Sequence, residues 1–260
     1  MSHYMTGEQY RASEGISRSQ LAILLNKTPY HFIHREDHDN DTPSLLFGRA
    51  AHKIILEPNK FDEEFVIAPE VDRRTKEGRE IWNAFVEENE GADILTSEDY
   101  EKLVDMANAF RDNPLAYSLI KGGKMETSWF WQDADTGEVC KIRPDCLNVV
   151  DGVHYIIDYK TTDSCANGHF ERSVKKYNYK LQAGMYREGM FHNTFENYVF
   201  VFIAQEKTYP YAVRVYQCTS EFCNEGYDQF RFALNLYHDC KVNNEWPGYD
   251  NTQLVEEGSE

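Results

Sequence analysis

Two carboxylates and a lysine lie close together in the middle of the sequence. Asp145 ends the stretch R-P-D, and Asp158 and Lys160 belong to I-I-D-Y-K. Because alternate residues of an extended chain share a face, Asp158 and Lys160 project from the same side of a strand. The intervening Asp151 and Gly152 predict a hairpin turn that brings Asp145 beside them. These charged groups need partners, because burying an unpaired carboxylate or ammonium costs several kcal/mol.

This arrangement is typical of a site for a hard divalent cation. Two converging carboxylates can hold Mg²⁺, while a nearby ammonium orients the attacking water or helps to deprotonate it. The same residues also fit a structural ion pair in an edge strand. The pattern by itself leaves both interpretations open.

Two further motifs flank these residues. A G-x-x-x-H motif lies upstream at 48–52, and a Q-x-x-x-Y motif lies downstream at 182–186. Together with P-D at 144–145 and D-x-K at 158–160, they resemble, in order, the PD-(D/E)XK nuclease superfamily in its RecB-like branch. The resemblance implies an α/β (α+β) fold with a restriction-endonuclease-like core, in which a central mixed sheet of about five strands is flanked by helices.

The resemblance extends over nearly the whole chain to the nuclease domain of RecE-type exonucleases, the exonuclease VIII family. It rests on ISRSQL, FGRAAHKIILEP, FVIAPEVDRRTKEG, ETSWFWQDADTGEVCKIRPD, the D-x-K-T-T strand, QAGMYREGM and EWP. It implies a Mg²⁺-dependent, ATP-independent 5′-to-3′ exonuclease on linear double-stranded DNA that releases 5′-phosphomononucleotides. The 3′ single-stranded overhangs would serve phage or prophage recombination through a RecT-like annealing protein. Relatives form rings, so a homotetramer is expected.

The resemblance also implies roles for individual residues. His52, Asp145, Asp158 and the backbone carbonyl of Tyr159 would bind one or two metal ions, and Lys160 would position the water. Because imidazole is a softer ligand than Mg²⁺ prefers, Mn²⁺ should substitute well. Two further catalytic residues are expected to reach the site from one face of a helix: Gln182 and Tyr186.

Three groups of residues are expected to contact DNA. A helix N-terminus with nearby arginines predicts a 5′-phosphate pocket, because free N–H groups and the helix dipole favour phosphate. Two basic clusters suit contact with backbone phosphate and unstacked bases. The second cluster is interleaved with tyrosines. Both clusters are expected to line one cavity with Asp158. The pocket comprises Ser17, Arg18, Ser19 and Arg143; the clusters are Arg73, Arg74, Lys76 and Arg79, and Arg172, Lys175, Lys176 and Lys180 with Tyr177 and Tyr179. Glu126, at the start of a strand, is left outside the catalytic set.

Composition limits the function in other ways. The chain has 260 residues with 27 Lys and Arg against 44 Asp and Glu, a formal charge of −17. Such a charge disfavours nucleic acid or anionic membrane bound by bulk attraction, so contact with DNA requires a local gathering of cations. The six cysteines form no C-x-x-C pair, which argues against a zinc ribbon or iron–sulfur cluster. With no signal-like or membrane-length apolar run, a cytoplasmic protein with no membrane partner is expected.

The order of elements predicts one nuclease domain over 1–260. It divides into an N-terminal helical segment (1–43), the nuclease core (44–217) and a C-terminal helix and tail (218–260). Within the core, alternating residues from 126 to 162 predict a three-stranded antiparallel meander. A helix over about 170–190 and two more strands follow.

Three alternatives stay open. The chain could be another PD-(D/E)XK DNase, either a single-strand exonuclease or a structure-specific endonuclease. It could also be an inactive DNA-binding module derived from a nuclease. A third alternative, a metal carrier, would use the side chains of His31, His34 and His38 on one helical face.

Overall fold

A computed structural model describes residues 4–35 and 42–249 of the chain. The described helices are α1 Gly7–Ala12, α2 Arg18–Asn26, α3 Pro29–Ile33, α4 Pro43–Leu56, α5 Phe61–Glu64, α6 Lys76–Glu88, α7 Ser97–Arg111, α8 Pro114–Ile120, α9 His169–Lys176, α10 Tyr179–Thr194 and α11 Ser220–Asn243. The described strands are β1 Ile16–Ser17, β2 Phe65–Ile67, β3 Asp93–Leu95, β4 Lys124–Met125, β5 Trp129–Gln132, β6 Val139–Ile142, β7 Cys146–Val150, β8 Val153–Thr162, β9 Tyr198–Glu206 and β10 Val213–Gln217.

A five-stranded mixed sheet forms the centre of the fold. Its order is β10-β9-β8-β7-β4, with β8 and β9 parallel and the other neighbours antiparallel. Helices cover both faces, as the long buried runs of β8 and β9 require. The predicted mixed sheet of about five strands with flanking helices is therefore confirmed.

Alternate residues of the central strands enter two separate cores. Ile156 and Phe200 lie in a core shared with α2, α10 and α11. Ile157, Tyr159 and Val201 lie in the other, shared with α4, α7 and α8. Because β8 is covered on both sides, a polar side chain near its end must find a partner on a helix.

The predicted three-stranded meander is not one continuous sheet, so that prediction is wrong. The first two strands are each interrupted, so that β5 and β6 join β1 in a separate three-stranded sheet, while β4 and β7 belong to the central one. Pro144, which has no N–H to donate, lies in the break between β6 and β7. Glu126, with φ of 52°, lies in the break between β4 and β5. The chain therefore changes sheets beside Asp145.

The helix predicted over 170–190 is also two helices. Asn178 adopts a left-handed conformation, with φ of 52°, between α9 and α10. Asparagine tolerates this conformation better than most residues. The break separates the basic residues of α9 from the Q-x-x-x-Y motif of α10.

The position of α10 is fixed by its close contact with α11. Gly184 and Gly226 face each other across this contact. A Cβ atom on Gly184 would overlap the backbone of Tyr227, and one on Gly226 would overlap the carbonyl of Lys180. Gly184 is the central residue of the Q-x-x-x-Y motif, so the same motif sets the approach of the helix that carries Gln182.

None of the helices in the described ranges combines the length and the apolar character that crossing a bilayer needs.

Replacing Gly184 by alanine should destabilise the protein by about 3 kcal/mol, because backbone atoms must move apart to admit the methyl group. Chemical denaturation of the purified variant measures the change in the free energy of unfolding. Gly48→Ala is the matched control: it also lies inside a helix, and its Cβ would meet nothing closer than 3.9 Å. The control should be neutral or stabilising by up to about 1 kcal/mol; equal losses in both variants would contradict the prediction.

Candidate active site

The β7–β8 hairpin brings the two predicted carboxylates together. Its turn is the predicted pair Asp151 and Gly152, both with positive φ, and Val150 pairs with Val153 on either side. At the other end of β7, an Asp145 carboxylate oxygen (Oδ2) accepts a hydrogen bond of 2.8 Å from the backbone N–H of Tyr159. The carboxylate of Asp145 therefore lies against the D-Y-K segment of β8.

Asp158 is an almost fully buried carboxylate, with 1% of its surface exposed. Its Oδ1 accepts a hydrogen bond of 2.5 Å from the side-chain amide of Gln182. Its Oδ2 lies 2.5 Å from the ammonium of Lys160, but no donor is aligned to give that buried oxygen a hydrogen bond. One oxygen of Asp158 thus has ionic contact and an unused capacity to accept or to bind a cation.

His52 approaches Asp145 from the face of the sheet that α4 covers, which is opposite to the face covered by α10. It lies on α4, and its Nδ1 is 3.4 Å from Oδ2 of Asp145. The ring packs edge-on against Tyr159, whose backbone group is a hydrogen-bond partner of the imidazole. Burial, followed by the charge of Lys160, lowers the pKa of His52 to about 4. The imidazole is therefore neutral at pH 7, the form that binds metal ions.

The carboxylate of Asp145 has an electrostatically unfavourable environment. Burial, and after it the neighbouring charge of Asp158, raise the pKa of Asp145 well above its usual value, and Glu126 adds to the effect. A bound cation relieves this kind of repulsion between carboxylates.

Glu126 is a residue of the site that sequence reasoning left out. One ligand atom from each of His52, Glu126 and Asp145 lies within 4.8 Å of the others. The N–H of Glu126 also donates to the carbonyl of Asp145, at 3.0 Å, and Arg143 donates from Nε to its carboxylate at 2.6 Å. The register of the predicted hairpin contained a signal for it: with Trp129 opposite Ile142 and Met125 opposite Cys146, Glu126 falls opposite Asp145. Within the described residues, this trio is the one cluster of three His, Cys or acidic side chains with such spacing.

The residues present fit a divalent metal ion. The donors are a neutral imidazole, carboxylate oxygens and a backbone carbonyl, a set that accepts Mg²⁺ and Mn²⁺. The oxygen of Asp158 without a hydrogen bond supports the same interpretation. The trio contains Glu126 where the sequence predicted Asp158, whose two oxygens contact Gln182 and Lys160 instead.

The two predicted residues of α10 differ in their contacts. Gln182 bridges the site, because its amide nitrogen donates to Asp158 while its carbonyl oxygen accepts from Arg18 at 3.1 Å. The hydroxyl of Tyr186 contacts a different group: it lies 3.5 Å from the backbone carbonyl of Arg143. Gln182 thus contacts a candidate catalytic group directly, and Tyr186 contacts the loop that carries Asp145.

A cavity of about 980 Å³ opens beside these residues and is lined by both His52 and Lys160. Its lining holds eight lysines and arginines against five aspartates and glutamates, which reverses the balance of the chain as a whole. The cationic lining residues are Arg11, Arg18, Arg49, Lys53, Lys60, Arg143, Lys160 and Lys207. The lining of the cavity is therefore less acidic than the chain as a whole, although most of these cations pair with a carboxylate in or beside the lining.

The expectation that both basic clusters line this cavity with Asp158 is wrong. Of the first cluster, Arg73 lines a different cleft, where its guanidinium lies 4.4 Å from the ring centre of Trp82. The cavity lining in the described chain includes no member of either cluster: Arg73, Arg74, Lys76, Arg79, Arg172, Lys175, Lys176 or Lys180. The second cluster does not line the cavity because α9 buries Phe170 against the core and leaves Lys175 and Lys176 exposed to solvent.

Aromatic residues of that second segment do reach the cavity. Tyr177 and Tyr179 line it with rings stacked 5.8 Å apart. Lys160 lies 5.2 Å from the ring centre of Tyr179, and Lys176 lies 5.1 Å from that of Tyr177. The ammonium of Lys180 pairs instead with Glu225.

The predicted phosphate pocket is only partly assembled. Arg18 and Arg143 line the cavity, whereas Ser17 and Ser19 are not among its lining residues. The two serine hydroxyls lie 3.1 Å apart, and that of Ser17 also donates to Gln20. Arg143 contacts Glu126, so it is a partner of the carboxylate site.

The histidines of the alternative metal carrier do not form a donor cluster in the described residues. Nδ1 of His31 lies 2.7 Å from the hydroxyl of Thr28. His34 packs against the ring of Tyr30, and His38 lies outside the described residues. The described contacts of His31 and His34 do not favour a metal.

Comparison with known proteins gives a family and a fold. A family model described as a PDDEXK-like domain of unknown function (DUF3799) matches residues 17–257. A crystal structure described as a candidate exonuclease from Eubacterium rectale superposes with a TM-score of 0.67 at 16% identity, covering 99% of this chain and 97% of that one. A structure described as SSO0001 gives a TM-score of 0.31 at 13% identity, covering 79% of this chain and 88% of that one. No curated protein matches.

Replacing Gln182 by alanine should destabilise the protein by about 1–3 kcal/mol, because Oδ1 of buried Asp158 loses its hydrogen-bond donor. Thermal or chemical unfolding in the absence of metal ions measures the loss. Gln132→Ala is a suitable control, since that exposed side chain donates only to the backbone carbonyl of Gly137. A Gln182 variant as stable as the control would show that the contact with Asp158 contributes nothing.

Proposed function

We propose, on the premise that the chain belongs to the family of PDDEXK-like domains, that it is a divalent-metal-dependent nuclease. One observation carries the proposal: the carboxylates of Asp145 and Asp158, the ammonium of Lys160 and the neutral imidazole of His52 converge beside a cavity with a cationic excess. Mg²⁺ or Mn²⁺ bound there would supply charge for the developing phosphorane and a water of lowered pKa. In this proposal His52, Glu126 and Asp145, whose ligand atoms lie within 4.8 Å of one another, would hold it together with the carbonyl of Tyr159.

The chain's own residues have separate tasks in this proposal. Lys160 lies at the border between Asp158 and the cavity, so its ammonium can orient a water and offset charge on a phosphate. Gln182 keeps the carboxylate of Asp158 in place and is itself held by Arg18. Arg143 fixes the carboxylate of Glu126.

We further propose linear double-stranded DNA as the substrate, degraded 5′ to 3′ without ATP to leave 3′ single strands. The resemblance to RecE-type exonucleases supports this polarity. The stacked rings of Tyr177 and Tyr179, with cations close to both, suit an unstacked base beside the catalytic residues. Arg18 is the lining residue best placed to meet a 5′-phosphate, because it connects the N-terminus of α2 with Gln182.

A ring-shaped homotetramer and a RecT-like annealing partner belong to the same proposal. The exposed apolar face of α6 supports a protein contact. Within α6, all of whose residues the structure describes, Gly78 alone is buried, while Ile81 and Val86 are exposed. The basic cluster at 73–79 adjoins this face and is accompanied by four carboxylates between 70 and 80, which makes it a weak DNA site.

Asp145→Asn, Asp158→Asn and Lys160→Ala should each lower the rate of DNA hydrolysis by at least about 100-fold, because each removes charge at the reacting phosphate. A fluorescent linear duplex with Mg²⁺ reports the rate, EDTA should abolish it, and Mn²⁺ should restore it. Asp151→Asn is the matched control: it makes the same chemical change in an exposed hairpin turn, where asparagine is equally suited to positive φ. Wild-type rates in the Asp158 and Lys160 variants would contradict the assignment.

Duplex labelled at the 5′ end should release labelled mononucleotide at once, whereas duplex labelled at the 3′ end should retain its label in a shortening single strand. Gel electrophoresis of both substrates, beside circular duplex and single-stranded DNA, measures the polarity. Degradation of the circle would favour an endonuclease, and a preference for single strands would favour a single-strand exonuclease. Binding without cleavage of any substrate would identify an inactive DNA-binding module.

A further inference from the structure

Residues 4–12 form one wall of the active-site cavity, which we call the N-terminal wall. The wall comprises an extended stretch and helix α1, which Thr6 caps through reciprocal hydrogen bonds with Gln9. Tyr4, Gln9 and Arg11 line the same cavity as His52 and Lys160. The family model begins its match at residue 17, so the wall lies outside the part of the chain that the family accounts for.

Lys141 anchors the far end of the wall. It lies on β6 with only 3% of its surface exposed, and its ammonium donates to three backbone carbonyls at the end of α1. The distances are 2.9 Å to Tyr10, 3.2 Å to Arg11 and 2.6 Å to Ser13. No ion pair between described residues includes Lys141, and burial lowers its pKa. The ammonium also lies 3.4 Å from the hydroxyl of Ser13 and 5.1 Å from the ring centre of Tyr10. A buried cation whose described partners are all neutral groups of residues 10–13 requires that segment to stay in place.

Arg143, two residues farther along, holds the near end of the wall. Its Nη1 donates to the carbonyl of Met5 at 2.8 Å, while its Nε donates to Glu126 at 2.6 Å. One guanidinium thus connects the wall with a candidate metal ligand. The wall is held at both ends by cations from a single segment of chain.

The side of the wall that faces the cavity presents an aromatic ring. Tyr4 is 75% exposed, and Tyr177 and Tyr179 line the same cavity. An exposed ring in a cavity rich in cations is suited to stacking with a base whose phosphates contact those cations.

We infer that the N-terminal wall positions DNA in the cavity, with Lys141 as its positioning residue and Tyr4 as the ring that contacts a base. The inference rests on the proposed nuclease function and adds a substrate contact that the family motifs do not contain. Loss of either group should weaken the binding of DNA while the carboxylates, Lys160 and His52 stay in place.

The test uses the full-length protein with Tyr4→Ala, Tyr4→Phe and Lys141→Met. Phe232→Ala is the control, because it removes an exposed ring, 62% accessible, from α11 outside the cavity. Three readouts are needed: the dissociation constant for a fluorescent duplex in EDTA, KM and kcat with Mg²⁺, and the rate of trypsin cleavage after Arg11. The first and third readouts do not depend on catalysis.

Tyr4→Ala should raise the dissociation constant and KM about tenfold with little change in kcat, and Tyr4→Phe should retain wild-type binding because the ring remains. Lys141→Met should raise both constants similarly and accelerate cleavage after Arg11. Unchanged DNA binding in Tyr4→Ala, in a wild-type protein that degrades DNA, would overturn the inference and leave the nuclease function standing. A wild-type protein that binds DNA through Tyr4 but never cleaves it would instead refute the nuclease function.

Discussion

The burial of the Asp158 carboxylate is the constraint on which the surrounding structure depends. A carboxylate with 1% exposure at the end of a central strand is tolerable only when donors or cations reach it. Lys160 comes from the same strand, but Gln182 comes from α10 and therefore demands a fixed helix position. The close contact of Gly184 with α11 supplies that position. The Q-x-x-x-Y motif thus joins the hydrogen bond to Asp158 and a packing contact in one helical turn.

The second organising feature is the change of sheets around Pro144. Because β6 and β7 belong to different sheets, the short connection between them leaves the central sheet and holds Asp145 beside His52 of α4. The matching interruption at Glu126 places another carboxylate there. Cations on the same segment, Lys141 and Arg143, donate hydrogen bonds to the backbone of the N-terminal wall and its end.

Net charge and local charge proved to be separate quantities in this protein. The chain carries −17 overall, yet the lining of its cavity has more cationic than anionic side chains. These cations do not come from the runs of basic residues that stand out in the sequence. They come one or two at a time from α1, α2, α4, β8 and the connecting segments, which only the fold brings together. Of the basic residues at 73–79, Arg73 lines another cleft, and carboxylates are interspersed among them in the sequence.

The sequence by itself determined the features that depend on neighbouring residues. Alternation gave Asp158 and Lys160 a common face, positive-φ residues gave the Asp151–Gly152 turn, and helical spacing gave Gln182 its direction; the hairpin then brings Asp145 beside them, as expected. Only the tertiary structure decided the partnership of Glu126 with His52, the attachment of the N-terminal wall to Lys141 and the origin of the cavity's cations. Those contacts join residues far apart in the chain, and local periodicity contains no information about which distant elements pack together. The breaks at Pro144 and Asn178 lie at residues whose chemistry permits them, since proline lacks an N–H for the ladder and asparagine tolerates positive φ, but periodicity alone did not locate them.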